Sequence, residues 1–333
     1  MQELPPFQGS CYTNQNMSFS KGRSPKDCLP AGCAVLFYLS MAVFVWAQDR
    51  QAPAIQSLEN KPPEIPAGQL VRETVQNELA AASDTSVKHL FRSRKQTAKG
   101  WQTRLYVETE DSMAGMLIAV NDQPLTAEQK QAEIDHLNWL IGNPDQLRKK
   151  RAREKEDADR TLRIVKALPE AFHYTYAGTA NPEPGLGKVG DPLLRLRFMP
   201  NPAYSAPSRV EQVLVGMQGY LLIDRSAKRI ARIDGKLFRD VSFGWGILGR
   251  LDKGGQFLVQ QADLGDGTWD ITAMHLRITG KILMIKSISM TSDETFSDFR
   301  RVPGDLTFAK GVEILRNEQD KLAHNGGSGG GGH

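Results

Sequence analysis

Two stretches of the sequence match Gly-x-Gly-x-x-Gly, at residues 185–190 and 244–249. A dinucleotide fingerprint needs a strand before its glycines and a helix start after them, so that amide groups face a pyrophosphate. The first match lies in a loop between Asn181-Pro-Glu-Pro184 and Asp191-Pro192, and the second leads into another strand-like run. Neither reads as a nucleotide site. Residues 326–330 spell Gly-x-Ser-x-Gly, but a glycine tail cannot hold a strained nucleophile elbow. The six histidines, at 89, 136, 173, 275, 324 and 333, share no metal-ligand spacing. His275 alternates within a strand-like run and reads as a satisfied wall residue rather than a catalyst. Asp263, Asp266 and Asp270 lack the oxygen-rich spacing of a calcium loop, and a turn accounts for Asp266. No nucleophile–base pair and no paired carboxylates emerge. The expectation is therefore no catalytic residue, no metal and no cofactor.

The remaining chemistry is charge. In residues 148–160 (RKKRAREKEDADR) only Ala152 and Ala158 are uncharged. The basic half and the mostly acidic half read as a solvated helix face with i,i+4 pairs, such as Glu154 with neighbouring arginines. A partner-binding patch is the alternative. Over 333 residues the net charge is only +4, which argues against a nucleic-acid binder. With 40% hydrophobic and 24% charged residues, the composition suits a folded body with a sizeable core.

The N-terminal segment addresses that body. Lys21, Arg23 and Lys26 precede an apolar run at residues 31–47, which Val45-Trp46-Ala47 closes with small residues at −3 and −1. This is the layout of a secretory signal peptide cleaved after Ala47, with Met17 as the expected true start. An uncleaved inner-membrane anchor is the alternative. Cys11, Cys28 and Cys33 all precede the cut, so the mature chain would hold no disulfide and no thiolate. The expected compartment is the periplasm.

The elements that follow read as a Pro/Ala/Gln-rich linker (48–67), an α+β domain (68–322) and a flexible Gly-rich tail (323–333). Apolar residues at 71, 75 and 79 predict a helix over 70–82. Residues 87–120 predict strands. Thr126 and Gln129 form a capping box that opens a helix with Ile134, Leu137 and Ile141 on one face. Asn143-Pro144 restarts it, and the second helix is predicted to end at Leu168, before Pro169. After Phe172, strand-like runs alternate with turn chemistry at Asp224-Arg-Ser226, Asp234-Gly235, Lys253-Gly254-Gly255, Asp266-Gly267 and Gly280-Lys281. The run 210–224 is read as one strand, and residues 305–320 as a closing helix.

In the last strands Met274, Leu276 and Ile278, then Ile282, Met284, Ile288 and Met290, fall at even spacing. Such a face is either core covered by helices or a concave cavity in which flexible thioethers adapt to acyl chains. Residues 219–224 (GYLLID), 229–241 (RIARIDGKLFRDV) and 249–257 (GRLDKGGQF) resemble the LolA/LolB-type lipoprotein carriers, and more closely proteins of the outer-membrane lipoprotein-sorting type. The resemblance is specific across about 210–302. It implies an incomplete antiparallel β-barrel, a half-barrel sheet with helices covering the concave face, and residues 126–168 as a lid. It implies a non-catalytic carrier of the acyl chains of a lipid or lipoprotein, in transient contact with a membrane surface. Trp269, Ile271, Met274, Leu276, Met284, Ile288 and Met290 are the expected lining. An envelope scaffold that binds a protein through 148–160 is the first alternative, and an envelope hydrolase is the second.

Overall fold

From Phe172 onward apolar side chains recur mainly at every second position, the period that gives a strand one buried and one solvated face. The structure, a computed structural model, describes residues 65–97, 99–244, 248–282 and 286–327. In chain order these form α1 (Ala67–Ser83), β1 (Lys88–Thr97), β2 (Gly100–Val107), β3 (Ala114–Val120), β4 (Gln123–Pro124), α2 (Ala127–Gly142), α3 (Pro144–Ala171), β5 (Phe172–Ala180), β6 (Leu193–Pro200), α4 (Arg209–Gln212), β7 (Met217–Asp224), β8 (Ile230–Leu237), β9 (Val241–Phe243), β10 (Gly249–Leu251), β11 (Gln256–Asp263), β12 (Trp269–Ile282), β13 (Lys286–Val302) and α5 (Phe308–Gly327). The expected signal peptide, the linker up to residue 64, Met284, residues 245–247 of the second glycine motif and tail residues 328–333 lie outside the described residues. Among the described residues no helix is long and apolar enough to cross a membrane.

The strands form one antiparallel sheet in the order β4-β3-β2-β1-β13-β12-β11-β8-β7-β6-β5, with the β9–β10 hairpin attached to β12. Its outer strands, β4 and β5, do not pair with each other, so the sheet is an unclosed half-barrel. β4 is two residues long and contains Pro124, which lacks the N–H that another strand would need. The bend is built where Gly219 and Gly235 pair across β7 and β8. A Cβ on Gly219 would lie 2.0 Å from the Asp234 carbonyl oxygen, and one on Gly235 2.2 Å from the Phe257 ring. Both missing side chains belong to the face that carries Leu221, Ile233 and Phe257, so the sheet folds toward that apolar face and makes it concave.

Helices cover the two ends of the sheet on opposite faces. On the concave side α1 and α3 pack on the β5–β8 end, burying Val71, Leu196, Phe198, Leu221 and Ile223 in one cluster. On the other side α5, with α2, closes a second cluster over β1–β3 that contains Leu90, Val107, Met116, Leu137, Phe308 and Leu315. α2 carries the full capping box: Thr126 Oγ1 accepts from the Gln129 N–H, and the Gln129 side chain accepts from the Thr126 N–H. Of the expected face of Ile134, Leu137 and Ile141, Leu137 is buried, Ile134 half-buried and Ile141 exposed; Leu140 is buried instead, because contact with β3 and α5 follows the i,i+3 spacing.

Several expected boundaries move. α3 runs through Pro169 to Ala171. Proline removes one N–H from its last turn, and partners outside the helix take up the nearby carbonyls: Tyr174 Oη donates to Leu168 O, Asn201 Nδ2 to Glu170 O and Asn201 N to Ala171 O. Asp234-Gly235 and Gly280-Lys281 lie inside β8 and β12 rather than in turns. Residues 209–216 are helical, capped by Ser208, and only then does β7 begin. Asp224-Arg-Ser226 and Asp266-Gly267 do turn their hairpins, with the Asp224 carboxylate accepting from the Ser226 and Ala227 N–H groups. The closing helix starts at Phe308.

Candidate functional site

Residues opposed across antiparallel strands share a face, so the register decides which side chains meet. It pairs Val259 with Met274, Phe257 with Leu276, Ile278 with Met290 and Gly280 with Ile288, all on the concave face. Strict alternation would put Ile271 on the other side. A bulge at Thr272 reverses the phase: Ala273 opposes Gln260, yet Ile271 opposes Gln261. Ile271 thereby joins Met274 and Leu276. The Thr272 hydroxyl donates to Gly185 O at 2.5 Å, which ties the bulge to the loop before β6. Trp269 packs against the small cluster of Leu186, Leu193, Leu222 and Ala231, with the Arg229 guanidinium 5.6 Å from its ring centroid.

None of the described helices packs substantially on β11, β12 or β13. Met274 is accordingly 37% exposed, and Ile271, Leu276, Ile288 and Met290 are half-buried. The expected lid, residues 126–168, forms α2 and most of α3, which lie on β3 and α5 and on α1 and β5. The concave wall also holds residues the sequence analysis did not single out. Phe91 stacks on Tyr106 (5.5 Å between centroids) and Phe299 (5.3 Å) and meets Phe296 edge-on at 6.0 Å. Between this aromatic group and the methionines sits a satisfied polar island. Lys95 Nζ is 3.0 Å from Glu294 Oε2, and Ser93 Oγ donates to Glu294 Oε1 at 2.6 Å.

The convex face carries a different surface. Two adjacent cross-strand rows, Gln218–Lys236–Gln256–Arg277 and Tyr220–Asp234–Leu258–His275–Asp293, line a groove of about 500 Å³. Arg195 lies over the Tyr220 ring at 3.9 Å, and His275 Nδ1 is 2.8 Å from Asp293 Oδ1. A smaller cavity of about 330 Å³ lies between β1, β13 and the C-terminal half of α5, beside the Arg300–Glu318 ion pair.

A third cluster holds the β11–β12 turn against the far strands. Asp266 Oδ2 is 3.1 Å from His89 Nε2 and accepts from Arg301 Nε at 2.7 Å, while Thr268 Oγ1 donates to Oδ1 at 2.5 Å. Burial pushes the Asp266 carboxyl up, but the hydrogen bonds from Thr268, Arg301 and His89 outweigh it and hold the group well below the usual carboxylate range. Glu108 and Asp270, beside the buried His89, are raised by burial, and for Glu108 the charge of Asp270 adds to the effect. These contacts join β1, β13 and the β11–β12 turn, and the cluster acts as a clasp that spans β13. Asp266→Asn keeps the Thr268 contact but removes the charge that Arg301 and His89 share. It is expected to lower stability by about 1.5–3 kcal/mol, read from the urea midpoint at constant slope.

The charged stretch of α3 is paired largely within itself. Arg148 meets Asp145, Lys155 meets Asp159 at 2.8 Å, and Arg160 meets Glu156 at 3.0 Å and Asp157 at 3.2 Å. Glu154 pairs with Lys150 rather than with the neighbouring arginines. It also accepts from Ser112 Oγ at 2.6 Å and from the Met113 N–H at 3.2 Å, fastening α3 to the turn before β3. Among the described residues no group of three or more His, Cys, Asp or Glu side chains is arranged to hold a metal ion. No protein-family model and no curated protein matches the chain.

Proposed function

We propose that this chain is an exported, non-catalytic carrier, and that its concave face takes the acyl chains of a lipid or lipoprotein in the periplasm. The observation that carries the reading is the alignment of Ile271, Met274, Leu276, Ile288 and Met290 on one half-exposed face of strands on which no described helix packs substantially. Exposed apolar surface of this kind has a free-energy incentive to be covered, at about 25 cal/mol per Å². Methionine suits a ligand of variable shape, because its unbranched thioether repacks at low cost. The aromatic group around Phe91 lengthens the wall beyond the methionines. The signal peptide read at residues 1–47 accounts for the compartment, and the unclosed sheet matches what the resemblance to lipoprotein carriers implies.

Native mass spectrometry of the chain isolated gently from the cell envelope is the first test. Co-purifying acyl mass that a fluorescent fatty-acid analogue displaces is the expected result. Met290→Glu places a carboxylate on that wall and is expected to weaken the analogue by at least about tenfold, the equivalent of 1.4 kcal/mol, without lowering the melting temperature comparably. A clean mass with no uptake of the analogue would overturn the proposal.

A further inference from the structure

The convex groove has chemistry that an acyl carrier does not use. Gln218, Asp234, Lys236, Gln256 and Arg277 make no side-chain hydrogen bond or ion pair with other described residues, although they stand side by side on four neighbouring strands. Arg197, the cross-strand neighbour of Tyr220, is likewise exposed and unpartnered among them. Within the groove Lys236 and Arg277 stand against Asp234 and Asp293, the latter hydrogen-bonded by His275 Nδ1, and the exposed Arg197 at its border, opposite Tyr220, tips the balance to cationic.

We propose that this groove binds an acidic glycan, a site separate from the acyl-binding face. Three features select that ligand. First, the backbone groups of β7, β8, β11 and β12 are spent on the ladder, so recognition runs through side chains and strand addition by a peptide has no edge to use. Second, amides and a phenol alternate with cations. Gln218 and Gln256 can both donate to and accept from hydroxyls, while Lys236 and Arg277 match carboxylates or sulfates. Lys236 and Arg277 are separated by one strand, so their backbones lie about 9–10 Å apart at the usual 4.7–4.9 Å strand spacing. Acidic groups on alternate sugars of an extended chain fit that separation. Third, the Tyr220 ring is 37% exposed and braced by Arg195 on one face, a rigid platform for the C–H face of a pyranose.

The test titrates the full chain with a hyaluronan hexasaccharide, which is acidic at alternate sugars, and with neutral chitohexaose, polyglutamate and oligothymidylate. Hyaluronan is expected to bind, and the others to bind at least about tenfold more weakly. Lys236→Gln with Arg277→Gln removes the two cations of the central row and is expected to cut hyaluronan affinity about tenfold or more, as is Tyr220→Ala alone. All three positions are exposed, so melting temperatures should stay near that of the unaltered chain, and uptake of the fatty-acid analogue should persist. Absence of hyaluronan binding, its survival in the double variant, or equal binding of chitohexaose, polyglutamate or oligothymidylate would each overturn the proposal. Loss of the acyl ligand alone would overturn the carrier reading and leave the glycan site standing.

Discussion

Glu78→Ala is expected to destabilise the fold by about 3–5 kcal/mol, the cost of stripping one partner from a buried ion pair. The Glu78 carboxylate on α1 accepts from Arg229 Nε at 2.9 Å and Nη2 at 3.0 Å, and from the Ile230 N–H at 2.7 Å. The two side chains are 10% and 14% exposed, so removing the carboxylate leaves a guanidinium with little water to replace it. The loss spreads locally, because Arg229 also lies over Trp269 and Asn77 donates to Lys228 O beside it. Glu78→Gln keeps an acceptor for Ile230 and should cost less. Glu73→Ala breaks the neighbouring, more exposed pair with Lys228 and should cost far less than Glu78→Ala. Urea titrations of the three variants separate these cases, provided the slope is unchanged. Equal losses for Glu73→Ala and Glu78→Ala would show that burial of the pair is not what anchors α1.

Why such a contact escapes a reading of the sequence is plain from its separation of 151 residues. What the sequence did disclose is local. The Thr126–Gln129 box needs only neighbours three apart, and Asp224-Arg-Ser226 folds on its own carboxylate. The errors share one cause, a local signal overruled by a distant neighbour. Asp234-Gly235 spells a turn, yet Gly235 serves the Phe257 ring that occupies the space above it. Gly280 likewise meets the Arg250 carbonyl oxygen, 2.2 Å from where a Cβ would sit, because β10 pairs there. Pro169 spells a helix end, yet Tyr174 and Asn201 compensate the carbonyls around it.

The candidate sites divide in the same way. Even spacing was enough to align Met274, Leu276, Ile288 and Met290, because their strands pair through a simple hairpin. It could not bring Ile271 into line, since the Thr272 bulge carries no glycine or proline to mark it. The convex groove needs the registers of three strand pairs at once before Gln218, Lys236, Gln256 and Arg277 fall in one row. His275 is a wall residue of β12, held by Asp293 at the edge of the convex groove. The clasp at Asp266 joins His89 across 177 residues, and the turn alone explained why an aspartate stands there.

Phe308→Ala should cost about 3–5 kcal/mol, near the upper end for emptying a core site. Phe308 opens α5 at 2% exposure, its N–H donates to Asp111 Oδ2 at 3.0 Å, and one turn later Gly311 lets the helix approach Thr109, Ala114 and Val107. So close a seat leaves little room for collapse around the cavity, which places the cost high in the range. Leu196→Ala, in the cluster under α1 and α3, should cost about 2–5 kcal/mol. The two clusters share no residue and lie on opposite faces at opposite ends of the sheet. Their losses should therefore add within about 0.3–0.5 kcal/mol in the double variant. The connection between them is β11–β13, on which no described helix packs substantially. If those strands transmitted packing strain, the double variant would depart from additivity. If they act as a hydrogen-bonded bridge whose apolar face awaits a ligand, the sum holds in the free protein. An acyl ligand that binds there then raises both single-variant midpoints together, because it stabilises the folded state against the unfolded one wherever the substitution lies.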